Sequence, residues 1–182
     1  SAQLRDYVMP HDRRIDEYSG QPFGQAYFDG LLRDHLAVFD SAPPTAAVLA
    51  AQRLGGRGLE LLGCLQSAHY VHGRRIADAA VLRELAAAIG LDAEAFDAEF
   101  KQVVANELQV HFKHSRSLLA EVGGQGFPTL VLEHDGQFSL IDIGPWLGQP
   151  EAFAQWLGQS LKQPEGDRAA AGSACGLDGC SH

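Results

Sequence analysis

Between Tyr27 and Gly123 no stretch alternates apolar and polar residues as a half-buried strand does, and nearly every signal has helical spacing. Turns are marked only at Ser41-Ala42-Pro43-Pro44, Gly55-Gly56 and Gly73. The texture changes within "GGQGFPTLVL", Gly123 to Leu132, where a glycine-loosened helix exit gives way to an aromatic–proline–threonine step and an apolar run. A second apolar run, "FSLID", follows "HDGQ", whose Asp135-Gly136 pair suits a two-residue type I′ turn. The expectation is a helical block followed by a β-hairpin. Pro128 cannot donate to a strand ladder, so it belongs at a strand's first position, with a cis peptide bond as one alternative.

Within the block, the best-marked helix starts at Asp78, buries Val81, Leu82, Leu85 and Ile89, and stops at Gly90. Asp92 caps the next, which carries Phe96, Phe100, Val103 and Val104 on one face and is expected to run on to Leu118 and Leu119. Ser41 and Thr45 are expected to cap the helix "TAAVLAAQRL". Ahead of the block, Leu4, Val8 and Ile15 are helically spaced, and Pro10 should bend or interrupt that helix. After the hairpin, Pro150 and Glu151 open a helix with Phe153, Leu157 and Leu161 on one side.

The 182 residues are 46% hydrophobic, enough for one sizeable core. With 23 acidic against 14 basic side chains, the field repels phosphate backbones and anionic membranes, so neither nucleic acid nor membrane is an expected partner. No apolar run is long enough to span a bilayer and no signal peptide is evident, which favours the cytoplasm. Cys64 reads as a small buried hydrophobe. Cys175 and Cys180 sit among glycines in a tail poor in large apolar residues, close enough to pair and without a packing role, which makes them a candidate redox pair. No metal site is expected: His69/His72 and His111/His114 each share a helix face but lack a carboxylate at ligand spacing, and a loose tail seldom closes a tetrahedral site.

The order of helical block, "GxGFPT", apolar strand, hairpin and terminal helix resembles the second half of a DsbA-like protein of the thioredoxin superfamily. Residues "SGQPFGQAYFDGLL" and "YVHGRRIADAAVLRELAAAIGLD" are similar to the helical insertion of the branch with FrnE-type oxidoreductases and 2-hydroxychromene-2-carboxylate isomerases. The resemblance covers roughly residues 19 to 161 and implies an α/β fold, thioredoxin-like, with a large all-helical insertion. It divides the chain into a connector helix and loop (1–24), the helical insertion (25–122), the C-terminal ββα half of the thioredoxin-like domain (123–162) and a Cys-x4-Cys tail (163–182).

The same resemblance implies thiol–disulfide exchange, in which a thiolate at a helix N-terminus attacks a substrate disulfide. The proline matching Pro128 is cis in the family, and Gly126, Phe127, Pro128 and Thr129 would hold the substrate, chiefly through backbone groups. Phe39 and Asp40 would line the cleft. The expected partner is a protein or small-thiol disulfide; no cofactor is required, although glutathione can serve. The sequence contains no Cys-x-x-Cys, so the family's first strand, first helix and second strand, which carry it, are expected to be missing and this chain to be inactive alone. The edge of "TLVL" would then lie open, inviting a homodimer or a swapped strand. Two other readings stand beside exchange: a glutathione-dependent isomerase or transferase, and a non-catalytic thioredoxin-like binding protein.

Overall fold

The computed structural model of the chain describes residues 2–161. Cys175 and Cys180 lie outside the described residues. Two compact units divide at Gly126/Phe127.

The first unit consists of helices and their connections, with no strand among its described residues. Helix α1 (Ala2–Ser19) continues through Pro10, against expectation. The bond that Pro10 cannot donate falls at Asp6, an exposed residue whose carbonyl water can reach. Helices α2 (Ala42–Gly55), α3 (Gly58–Gln66), α4 (Ala79–Ala88) and α5 (Ala93–Asn106) enclose the main core. Its centre is a stripe of small residues on α2, Ala46, Ala47, Ala50 and Ala51, all fully buried. Without bulk on that face, α3 brings Leu61 and Leu65 against it, and α5 brings Phe96 and Val103.

Helix α4 follows the sequence reading closely: Leu82 and Ile89 are buried, Val81 and Leu85 partly so, and Gly90 has φ +84°. Asp78 stands at its N-cap but makes no side-chain capping bond. Asp92 does cap α5, accepting from the N–H groups of Glu94 and Ala95 at 3.1 and 2.8 Å. The expected long helix is two helices, because Glu107 leaves helical geometry with φ −121° and α6 (Leu108–Glu121) starts afresh. Arg53 of α2 pairs with both Glu99 and Glu107 at that break. Leu108 then enters the core, while Val104 is half exposed. The start of α2 also differs: Asp40, not Ser41, accepts from the Ala42 N–H at 2.8 Å, and the Thr45 hydroxyl donates to the Ser41 carbonyl.

In the second unit, β1 (Leu130–His134) pairs antiparallel with β2 (Gln137–Ile141), from Leu130 opposite Ile141 to His134 opposite Gln137. Asp135 and Gly136 turn the hairpin with φ 48° and 77°, both positive as a type I′ turn requires. The register puts Val131 and Leu140 on one face with Phe138, and Leu130, Leu132 and Ile141 on the other, so both faces are apolar. A 3-10 turn (Gly144–Trp146) and α7 (Pro150–Ser160) follow, joined by a cluster of Trp146, Phe153 and Trp156 with ring centres 5.3 to 6.1 Å apart. None of the residues 127–161 is fully buried.

Candidate functional site

Two places carry more constraint than their secondary structure requires. The first is the entry to β1. The Phe127–Pro128 peptide bond is cis, as the resemblance implies. Thr129 leads directly into the strand, and Phe127 is 71% exposed. Gly126 ends the first unit and Thr129 belongs to the second.

The second place lies in the helical unit, and sequence reasoning missed most of it. Two five-residue π-helical turns, Ala26–Gly30 and Ser67–Val71, pack against each other. Such turns are uncommon and cluster at functional sites. Glycine makes the approach feasible on both sides: a Cβ at Gly24 would collide with the Val71 carbonyl, and one at Gly73 with the Ala26 carbonyl. The Gly24 N–H donates to the Tyr70 carbonyl at 2.8 Å, joining the two turns.

These turns assemble Tyr27, His69 and Tyr70 with Phe23 and Phe28 around them. The His69 ring lies 5.3 Å from that of Tyr27 and edge-on to Tyr70 at 4.7 Å. From α1, Asp12 reaches in with only 9% exposure and accepts a 2.8 Å hydrogen bond from the Tyr27 hydroxyl. Burial pushes the Asp12 carboxyl above its ordinary value, while the Tyr27 hydrogen bond, then His11 and His69, pull it down. Burial raises the Tyr27 and Tyr70 hydroxyls. It lowers the His69 imidazole, with the Arg74 backbone and Asp12 opposing.

Phe39 joins this cluster, edge-on to His69 at 5.9 Å, and is 42% exposed. Asp40, beside it in sequence, accepts from the Ala42 N–H at the start of α2. Beside Tyr70 lies an open cleft of about 250 Å³ lined by uncharged groups, with Ser41, Thr45 and Gln66 as its polar members. Among the described residues no three His, Cys, Asp or Glu side chains gather as a metal site, and His69 sits among rings. A sequence signal for the cluster existed in Gly24 and Gly73 bracketing Tyr27 and His69-Tyr70, but only the fold shows that the two segments meet.

Solved structures give the relationship. The cytosolic disulfide reductase DsbM from Pseudomonas aeruginosa superposes with a TM-score of 0.84 at 53% identity, over 88% of this chain and 78% of that one. The chain belongs to the DsbA-like family of thiol–disulfide oxidoreductases. Its DsbM relative has also been solved with GSH, and that structure matches at 50% identity with a TM-score of 0.83, covering 90% of this chain and 78% of the relative. A candidate protein disulfide isomerase from Nitrosomonas europaea, 24% identical, shares the fold with a TM-score of 0.69 over 87% of this chain and 76% of its own. No protein-family model and no curated protein matches the sequence. No described helix is long and apolar enough to cross a membrane.

Proposed function

We propose that this chain is the helical and C-terminal part of a cytoplasmic disulfide reductase of the DsbM type, with the loop from Gly126 to Thr129 receiving the substrate. The 53% identity to DsbM carries this reading. In the reaction, a cysteine thiolate attacks one sulfur of the substrate disulfide, forming a mixed disulfide and releasing the other substrate sulfur as a thiolate. A second enzyme cysteine attacks the mixed disulfide, freeing the remaining substrate thiol and leaving an enzyme disulfide. Two glutathione thiols can then reduce that disulfide and leave as oxidised glutathione. Backbone groups around Pro128 would hold the substrate as an added strand during the first attack.

The nucleophile belongs to a Cys-x-x-Cys that these 182 residues do not contain. A strand–helix–strand segment carrying it would pair along the outer edge of β1 and cover the hairpin. The apolar character of both hairpin faces, in a unit with no fully buried described residue, supports that reading. Phe39 would line the cleft, and glutathione is the expected small-thiol partner in view of the DsbM structure solved with GSH.

The test compares the protein isolated from its source cells with the 182-residue chain, by intact mass and by reduction of a glutathione–peptide mixed disulfide with glutathione as reductant. The source protein should be heavier than 19.6 kDa and active, and the chain alone inactive. A source protein of 19.6 kDa whose activity disappears in Cys175→Ser or Cys180→Ser would overturn the reading and make the tail pair the redox centre.

A further inference from the structure

Helix α1 is fastened to the helical unit on both apolar and polar terms. Val8 and Met9 pack against the small cluster of Tyr27, Leu31 and Leu32. Asp12 is the one buried polar or charged residue among the described residues, and its buried bond is to the Tyr27 hydroxyl. Behind that bond stands His69. Its Nδ1 is buried and has no hydrogen-bond partner among the described residues, though the Arg74 backbone is near enough to favour the protonated ring. A neutral imidazole can present Nδ1 there as a bare lone pair. A protonated one must carry its charge among packed rings, where the Arg74 backbone and Asp12 favour it but burial costs more.

We propose that Asp12, Tyr27, His69 and Tyr70 form a proton-sensitive latch that holds α1 against the two π-helical turns and loosens when His69 takes a proton. The groups that face His69 are Asp12 and, beyond it, His11 from α1, Tyr27 from the first turn, Tyr70 from its own turn and the Arg74 backbone after it; the Arg74 side chain is engaged by Glu84. Phe39 closes a further side with an uncharged ring. The attraction of the Asp12 carboxylate favours the imidazolium but does not outweigh burial.

The sign follows from linkage. A histidine whose value is lowered in the docked state contributes stability that is present above its ordinary value, near 6.5, and is lost as pH falls below it toward the lowered one. Asp12 works in the opposite direction, because its raised value gives the docked state extra protons at lower pH, nearer the ordinary carboxylate range. The histidine therefore governs the near-neutral window. Because Tyr70 forms both a side of the latch and a wall of the uncharged cleft, the same proton acts on the shape of that cleft. This device is independent of where the nucleophilic cysteine lies.

Hydrogen exchange of the full 182-residue chain at pH 7.5, 6.5 and 5.5, corrected for intrinsic exchange, tests it. A single proton taken up on release lowers the protection of α1 by up to about tenfold between pH 7.5 and 5.5, with α2 and α5 unchanged. His69→Gln should abolish the fall, His11→Gln should keep it and Asp12→Asn should steepen it. Constant α1 protection in the wild type, or a fall that survives His69→Gln, overturns the proposal. If His69→Gln leaves α1 unprotected at every pH, the wild-type imidazole resonances decide. A His69 midpoint below the ordinary value with Tyr27 and Tyr70 ring shifts in step supports the latch, and an ordinary midpoint refutes it.

Discussion

Removing one oxygen atom, by Tyr27→Phe, should produce a destabilisation that depends on pH in a direction set by Asp12. At neutral pH the hydroxyl donates a 2.8 Å hydrogen bond to a carboxylate that is only 9% exposed. A hydrogen bond to a charged group contributes roughly 1.5–3 kcal/mol, and its removal leaves the carboxylate buried without that donor. For a helical unit of this size, 1 kcal/mol corresponds to about 4 °C in Tm. The expected loss at pH 7.5 is therefore about 6–12 °C. Burial already raises the Asp12 carboxyl and the Tyr27 bond pulls it back down, so the variant raises it further. A carboxyl raised in the folded state costs stability while charged, and that cost is relieved as pH falls through the folded value toward the ordinary one, 3.8. At pH 4 the difference between wild type and variant should shrink to that of a neutral hydrogen bond, about 0.5–1.5 kcal/mol. Thermal unfolding followed by far-UV circular dichroism at the two pH values measures both numbers. An equal loss at pH 4 and pH 7.5 would refute the charge argument, and no loss at either would refute the role of the pair.

Gly24→Ala should be worse than an ordinary surface substitution, because its Cβ meets the Val71 backbone carbonyl and the Gly24–Tyr70 hydrogen bond would break as the turns separate. A loss of about 2–4 kcal/mol in urea unfolding, with Gly63→Ala neutral or stabilising as the open-space control, is the expected outcome. Asp92→Ala removes the acceptor of two N–H groups at the start of α5 and should cost about 1 kcal/mol, while Asp78→Ala, where no capping bond forms, should cost less when measured the same way.

The hairpin was legible because its signals are local. Asp135-Gly136 dictates the turn, the turn dictates the register, and the apolar runs on either side supply the strands. The helices around Asp78, Gly90, Asp92 and Pro150 were legible for the same reason. Where tertiary contacts decide, sequence reading failed. The helix through Pro10 continues against local preference, and the break at Glu107 is attended by Arg53, which comes from another helix. In the candidate site, the proline motif alone left the cis bond as one alternative, and the resemblance carried by the order of elements implied it. Asp12, Tyr27 and His69 lie far apart in sequence, and no spacing rule relates them. The π-helical turns that bring them together shift side chains off the ordinary helical period, which hides those residues from any pattern based on that period.

The hairpin with two apolar faces also has a consequence in time. The helical unit closes its main core within residues 46–108, so it can form without waiting for the hairpin. If the proposed strand–helix–strand segment covers it, the hairpin cannot finish at the same moment, since a strand with oily residues on both sides stays wet until that segment arrives. During that interval "TLVL" is open to any other chain in the same condition. Slower synthesis and lower protein concentration should therefore favour recovery of this protein more than they would a helical bundle of equal size, because the vulnerable step is the wait and not the final state.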